Sequence, residues 1–146
     1  MKKIIFLVAT LFLAILPVMF TSCGNTPNDI TLVGKWEVTD AKCSYYFVGE
    51  KGDAIETQSY EVGQVWEFSK DDKLSVSGVS DAFSYNLSNN VLTTEYATTH
   101  YSSEAKFFMV DEHTAEQLIL SVHYRSTDKV GTRDVTNTLT FKRVKE

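Results

Sequence analysis

The sequence predicts an all-β fold, an eight-stranded antiparallel up-and-down barrel. Three observations point there. Beyond the first thirty residues no stretch repeats apolar side chains at spacings of three and four over the length a helix needs. Runs of alternating apolar and polar residues recur instead, as half-buried strands require. Short turns separate most of these runs, so sequence neighbours can pair, and joining the last to the first removes the edges that an open sheet must defend. A two-sheet sandwich is the alternative, because strand spacings of roughly 8 to 12 residues suit both.

Val33 to Asp40 opens the series, with Gly34, Trp36 and Val38 on one side and Lys35, Glu37 and Thr39 on the other. Ser44 to Val48 is its aromatic continuation, and Gly49 to Glu61 reads as a long polar connection. Val62 to Phe68 leads through Ser69-Lys70-Asp71-Asp72 into Lys73 to Ser77, the spacing of a tight hairpin. Phe83 to Leu87 passes through Ser88-Asn89-Asn90 into Val91 to Thr98. Lys106 to Val110 passes through Asp111-Glu112-His113-Thr114 into Gln117 to Tyr124. Thr136 to Val144 ends the set, after a polar loop containing Gly131.

The alternation assigns an inward set: Trp36 and Val38; Trp66 and Phe68; Leu74 and Val76; Phe83, Tyr85 and Leu87; Leu92 and Tyr96; Leu118, Leu120 and Val122; Leu139, Phe141 and Arg143. Phe107 to Val110 is apolar on both faces, so its outer side calls for cover by the long loop or by a partner.

The N-terminal 22 residues stand apart from this pattern. Lys2 and Lys3 precede a seventeen-residue apolar run, Ile4 to Phe20, and small residues sit directly before Cys23. Phe20-Thr21-Ser22-Cys23 resembles the lipobox of bacterial lipoproteins, which implies cleavage before Cys23 and acylation of its thiol. A plain transmembrane anchor is the competing reading, since roughly 20 apolar residues span a bilayer. The leading lysines, Pro17 near the end of the run and the small residues before Cys23 favour a cleaved signal. The chain then divides into a lipoprotein signal peptide (1–22), a lipidated cysteine with a polar tether (23–31) and one β domain (32–146). Gly24 follows the cysteine in place of the aspartate that marks inner-membrane retention in some Gram-negative bacteria. The resemblance therefore implies an outer-membrane lipoprotein, and without an acidic cluster after Cys23 the periplasmic face is expected over the cell surface.

Taking residues 1 to 22 from the 146 leaves 124, the size of a single domain with one core. Without Lys2 and Lys3 the 14 basic side chains fall to 12 against 19 acidic ones, a net of −7. So acidic a surface is a poor partner for nucleic acid or anionic headgroups, and no nucleic-acid partner is expected.

Leu32-Val33-Gly34-Lys35-Trp36 resembles the Gly-x-Trp start of lipocalins, and more closely the Leu-x-Gly-x-Trp start of the lipocalin-like domains of small Gram-negative lipoproteins. Phe68-Ser69-Lys70-Asp71-Asp72-Lys73-Leu74, Tyr85-Asn86-Leu87 and Leu139-Thr140-Phe141 fit the later strands of that group. In lipocalins the motif tryptophan plugs one end of the barrel and an arginine late in the last strand packs across it. The matching residues are Trp36 and Arg143, and the alternation independently turns both inward. No helix-forming segment follows the last strand, which implies a small barrel with a partly filled interior.

Chemical motifs are sparse. With Cys23 carrying lipid, Cys43 has no disulfide partner and reads as a small buried apolar side chain. His100, His113 and His123 lack the spacing and neighbours of a zinc site. His113 reads as a solvated turn residue and His123 as an outward strand residue. There is no nucleophile elbow or phosphate-binding glycine loop. No enzymatic activity, cofactor or metal is therefore expected. Two functions fit: an anchored barrel that binds a small apolar or amphipathic ligand, with Trp66, Phe68, Tyr85 and Tyr96 as wall candidates, or an envelope interaction or inhibitor module with a filled barrel. In the second reading Phe107 to Val110, Tyr45, Tyr46 and Tyr60 are the contact candidates.

Overall fold

The computed structural model describes residues 31–145; the expected signal peptide, Cys23 and the tether as far as residue 30 lie outside them. The described residues form β1 (Gly34–Phe47), β2 (Ile55–Gln58), β3 (Val65–Phe68), β4 (Lys73–Val76), β5 (Ala82–Ser88), β6 (Val91–Thr94), a short helix α1 (Glu95–His100), β7 (Phe108–His113), β8 (Gln117–Thr127) and β9 (Thr132–Arg143). All pairings are antiparallel, and from β3 to β9 each strand lies beside its sequence neighbours. β1 pairs with β9 and closes the sheet. β2 and β3 share the other edge of β1, at residues 42–45 and 34–37, so together they make one interrupted stave. The result is the closed eight-staved barrel that the alternation predicts.

A bulge in β1 sets the interior. Between Val38 and Asp40 the register against β9 slips, which resets the face that each later side chain takes. Trp36 and Val38 are buried before the slip and Ala41 after it. At the same level the chain between β2 and β3 is pinned to β1: Ser59 N–H donates to the Ala41 carbonyl (2.9 Å), Gly63 N–H to the Val38 carbonyl (2.8 Å) and Val38 N–H to the Gln64 carbonyl (2.8 Å). Gly63 adopts φ +89° in this turn, a conformation that favours glycine. Glu61, two residues earlier, is left only 2% exposed.

A second bulge, between Val110 and Glu112 of β7, keeps Phe108 and Val110 inside and swings His113 onto Trp36, with ring centroids 5.8 Å apart. His113 is thus a half-buried strand residue and not the solvated turn residue expected from Asp111-Glu112-His113-Thr114.

Trp36 and Arg143 close this end of the barrel. The Trp36 indole is fully buried and donates through Nε1 to the Leu32 carbonyl at 2.8 Å. The Arg143 guanidinium lies 4.1 Å from the indole centroid, a cation–π geometry. It donates through Nε to the Ala115 carbonyl (2.8 Å), through Nη1 to Val33 (3.0 Å) and through Nη2 to Thr31 (2.6 Å). A Cβ on Gly34 would stand 2.7 Å from Nη1, at a φ of +130°. The glycine of Gly-x-Trp is needed for both reasons.

Three elements differ from the sequence expectation. Ile55–Gln58 is a strand within what read as a polar connection, held by its pairing with β1. Val62 to Val65 reads as strand, yet β3 starts only at Val65 because the turn occupies the preceding residues. Val91 to Thr98 splits into β6 and α1: Thr94, in extended backbone, accepts from Tyr96 N–H at 3.3 Å and caps a six-residue helix too short to show periodicity. The inward set is buried except Leu87, which is 38% exposed at the end of β5, and Tyr85 and Arg143, which are half-buried. Phe107 is exposed on the outer side of the β7 approach, where cover was expected.

Arg143→Lys should destabilise the chain by about 2 kcal/mol in urea unfolding, because one ammonium cannot reach three carbonyls set out for a guanidinium. Burial, and then the Arg143 charge, hold His113 below its ordinary 6.5. The unfolded chain therefore takes up a proton that the folded chain refuses as pH falls below 6.5. The contribution of neutral His113 is present above that pH and drains away below it. His113→Gln should show a smaller drop in unfolding midpoint between about pH 7.5 and pH 5.5 than the parent chain; an equal drop would remove His113 from this role.

Candidate functional site

The middle of the barrel is filled by an aromatic cluster around Trp66. Its ring lies 4.8 Å from Tyr96, 5.1 Å from Phe141, 5.6 Å from Phe108 and 6.3 Å from Phe68, all tilted or edge to face, the arrangements aromatic pairs prefer. Tyr85 meets Phe68 at 5.0 Å and donates to the Ser69 carbonyl at 2.9 Å. Trp66, Phe68 and Tyr96 are at most 1% exposed. The structure thus brings all four wall candidates into or beside the packed core, and none of them lines a described cavity.

The space lies nearer the end opposite Trp36. A cavity of about 330 Å³ is lined by Cys43, Thr57, Gln58, Ser59, Tyr60, Glu61, His100, Tyr101, Tyr124 and Asn137. Each side chain arrives there for a local reason. The β1 bulge turns Cys43 inward opposite Asn137 of β9, and the pinned turn inserts Glu61. α1 delivers His100, stacked on Tyr96 at 4.0 Å, and Tyr101 follows at the helix end, 6.4 Å from Tyr124. Cys43 is half-buried, in place of the wholly buried position expected for it, and burial raises its thiol pKa, so it stays a protonated wall residue.

The cavity's polar groups are unevenly satisfied. Ser59 Oγ donates to the Glu61 carboxylate, and Asn137 Nδ2 donates to the Tyr124 hydroxyl at 3.1 Å. His100 Nδ1 is buried with no hydrogen-bond partner among the described residues, and the Tyr101 hydroxyl, also buried, makes no bond of ordinary geometry but lies within reach of the Glu61 carboxylate. Burial first, with the Glu61 charge adding to it, raises the pKa of the Tyr60 and Tyr101 phenols; burial raises Tyr96 and Tyr124 too, and Glu61 contributes to both. Three of these phenols, Tyr60, Tyr101 and Tyr124, line the cavity together with Glu61.

A wider groove of about 520 Å³ runs outside β8 and β9, past Tyr46, His123, Arg125, Asp134 and Thr136. Its charged and imidazole groups on β8 and β9 are already matched: Arg125 clamps Asp134 at 2.7 and 3.0 Å, and His123 Nδ1 is 2.8 Å from Thr136 Oγ1. Orphaned buried groups mark a site better than volume does, since each costs free energy until something pairs with it. The cavity at the barrel mouth is accordingly the candidate site.

No protein-family model, curated protein or solved structure matches this chain. The site must be read from its own chemistry. Among the described residues no group of three or more metal-ligating side chains is assembled. What the cavity offers is a buried carboxylate, phenols, an imidazole and aromatic walls, the equipment of a small hydrogen-bonding pocket.

Glu61, Tyr101, Tyr124 and Asn137 escape the sequence reading. Asn137 alone left a signal, as an amide between inward Val135 and Leu139 on one strand face. Tyr101→Phe removes a buried hydroxyl within reach of the Glu61 carboxylate. It should lower stability in urea unfolding by about 1 kcal/mol; an equal gain would mean that the hydroxyl is unpaired.

Proposed function

We infer that this chain is a lipid-anchored, lipocalin-like binding module that holds a small amphipathic molecule at the mouth of its barrel. The observation that carries the reading is the 330 Å³ cavity with the buried Glu61 carboxylate and the unpaired His100 Nδ1 above a closed aromatic core. Its volume is at the small end of ligand pockets, which run from roughly 300 to 1,000 Å³. The Phe20-Thr21-Ser22-Cys23 sequence supports acylation at Cys23, and with Gly24 it supports the periplasmic face of an outer membrane. The Gly34–Trp36 motif with its Arg143 seal is the feature that the lipocalin-like reading shares with this barrel. A site of this kind binds and releases, and no catalytic role is assigned to it.

The second reading, an envelope docking or inhibitor module, draws on the filled barrel and on three exposed side chains, Tyr46 (51%), Tyr60 (77%) and Phe107 (44%). Thermal unfolding of the full chain in a non-ionic detergent separates the two. A panel of small amphipathic compounds should contain at least one that raises Tm by about 5 °C or more at roughly a hundredfold excess over its Kd. A flat panel, with an envelope protein recovered by crosslinking through Tyr46 or Tyr60, would favour docking.

A further inference from the structure

Resting on the ligand-binding reading, the cavity's chemistry narrows the ligand class. Glu61 is 2% exposed, and its side-chain partners among the described residues are neutral hydroxyls, that of Ser59 and, within reach, that of Tyr101. No described ion pair includes it: Lys42 is with Asp40, Arg125 with Asp134, Arg133 with Asp128 and Lys145 with Glu116. Arg133 also stacks on Tyr45, 5.5 Å from the ring centroid, so it is occupied at the rim. A carboxylate removed from water costs several kcal/mol unless a cation or several donors meet it. The fold nonetheless devotes three backbone hydrogen bonds to β1 and a glycine turn to carrying Glu61 inside.

The competing ligand classes fit less well. An anion would meet Glu61 in a domain of net negative charge. A purely apolar molecule would complete the sealing of Glu61 from water without bringing it a counter-charge. A cation gains from each feature: the carboxylate neutralises it, and the rings of Tyr60, Tyr101 and Tyr124 supply faces of the kind that hold ammonium groups. We propose that the mouth cavity is a receptor for a small organic cation, an amine or quaternary ammonium compound, with Glu61 as counter-ion and Tyr60, Tyr101 and Tyr124 as its aromatic wall. His100 Nδ1 and Tyr101 Oη then take a hydroxyl or N–H carried by the same molecule. Tyr60, standing at the rim, covers the bound ligand.

Two matched pairs of probes test this on the full chain in non-ionic detergent, by calorimetric titration. The first is choline against its neutral analogue with a tert-butyl group in place of trimethylammonium; the second is benzylamine against benzyl alcohol. At least one cation should bind about tenfold or more tighter than its neutral partner, the worth of one good charge contact. Glu61→Gln, which keeps the shape and the Ser59 contact, should abolish that preference while the variant unfolds at the same or a higher temperature. Tyr101→Phe with Tyr124→Phe, which keeps the rings, should preserve it. Neutral probes binding as well as the cations, or a preference that survives in Glu61→Gln, would overturn the cation assignment and leave the binding reading standing. No binding by any probe would overturn the assignment; a silent amphipath panel as well would take the binding reading with it.

Discussion

The bulge between Val38 and Asp40 is the constraint on which the rest of this structure depends. β1 is the one strand that meets three others, and it has to serve both purposes of the barrel. Its first half seals, and its second half opens. A regular strand would carry the face of Trp36 and Val38 straight through Asp40, Lys42 and Ser44, placing two charges inside. One extra residue turns Ala41 and Cys43 inward in their place and gives the neighbouring edge a break at which β2 stops and β3 starts. Into that break goes the turn that carries Glu61.

The two ends of the barrel then differ in how their polar groups are met. At the Trp36 end the guanidinium of Arg143 faces three carbonyls that no strand partner satisfies, and the indole N–H takes a fourth, that of Leu32. The backbone groups shed by the ends of the strands are collected by one side chain from the last strand. That is a cheaper solution than a capping helix, and it fixes the register of β9 against β1 at Trp36 opposite Arg143. At the other end the comparable groups remain partly unmet, because His100 and Tyr101 leave the helix end packed on Tyr96, Phe108 and Tyr124, rings that offer their polar atoms little in return. One end is finished by the chain itself and the other is left for something else to finish.

How much of this the sequence discloses follows from what alternation can carry. Strand order, closure and most of the inward set are legible, because period-two burial is local and the turns between runs are short. The stacking of Arg143 on Trp36 is legible for the same reason: both residues sit before any slip in register when counted from the ends of their strands. Cys43, His113 and Glu61 are not. Each lies beyond a bulge or inside a turn whose geometry is decided by hydrogen bonds to a strand distant in sequence. α1 is hidden because six residues hold too few apolar positions to show a helical period. The cavity is built from these same segments, so the part of the protein that sequence reads worst is the part that carries its chemistry.

This coupling has a physical cause. Regular β-structure gives every inward position to packing, and a barrel of eight staves is just wide enough for such side chains to fill it. Trp66, Phe68, Phe108 and Phe141 do fill it at mid-height. Space and unsatisfied polar groups can then persist only where the ladder is broken, since an unbroken ladder pairs its backbone and leaves alternate side chains in contact. Here the breaks at Val38–Asp40 and at the end of β6 lie toward the same mouth, on either side of the cavity. Deleting Thr39 would regularise β1 without turning a charge inward, because Asp40 would then follow Val38 directly and point outward while Ala41 and Cys43 kept their inward face. What it would remove is the break that seats the 59–64 turn, so the barrel would keep its core and lose its site.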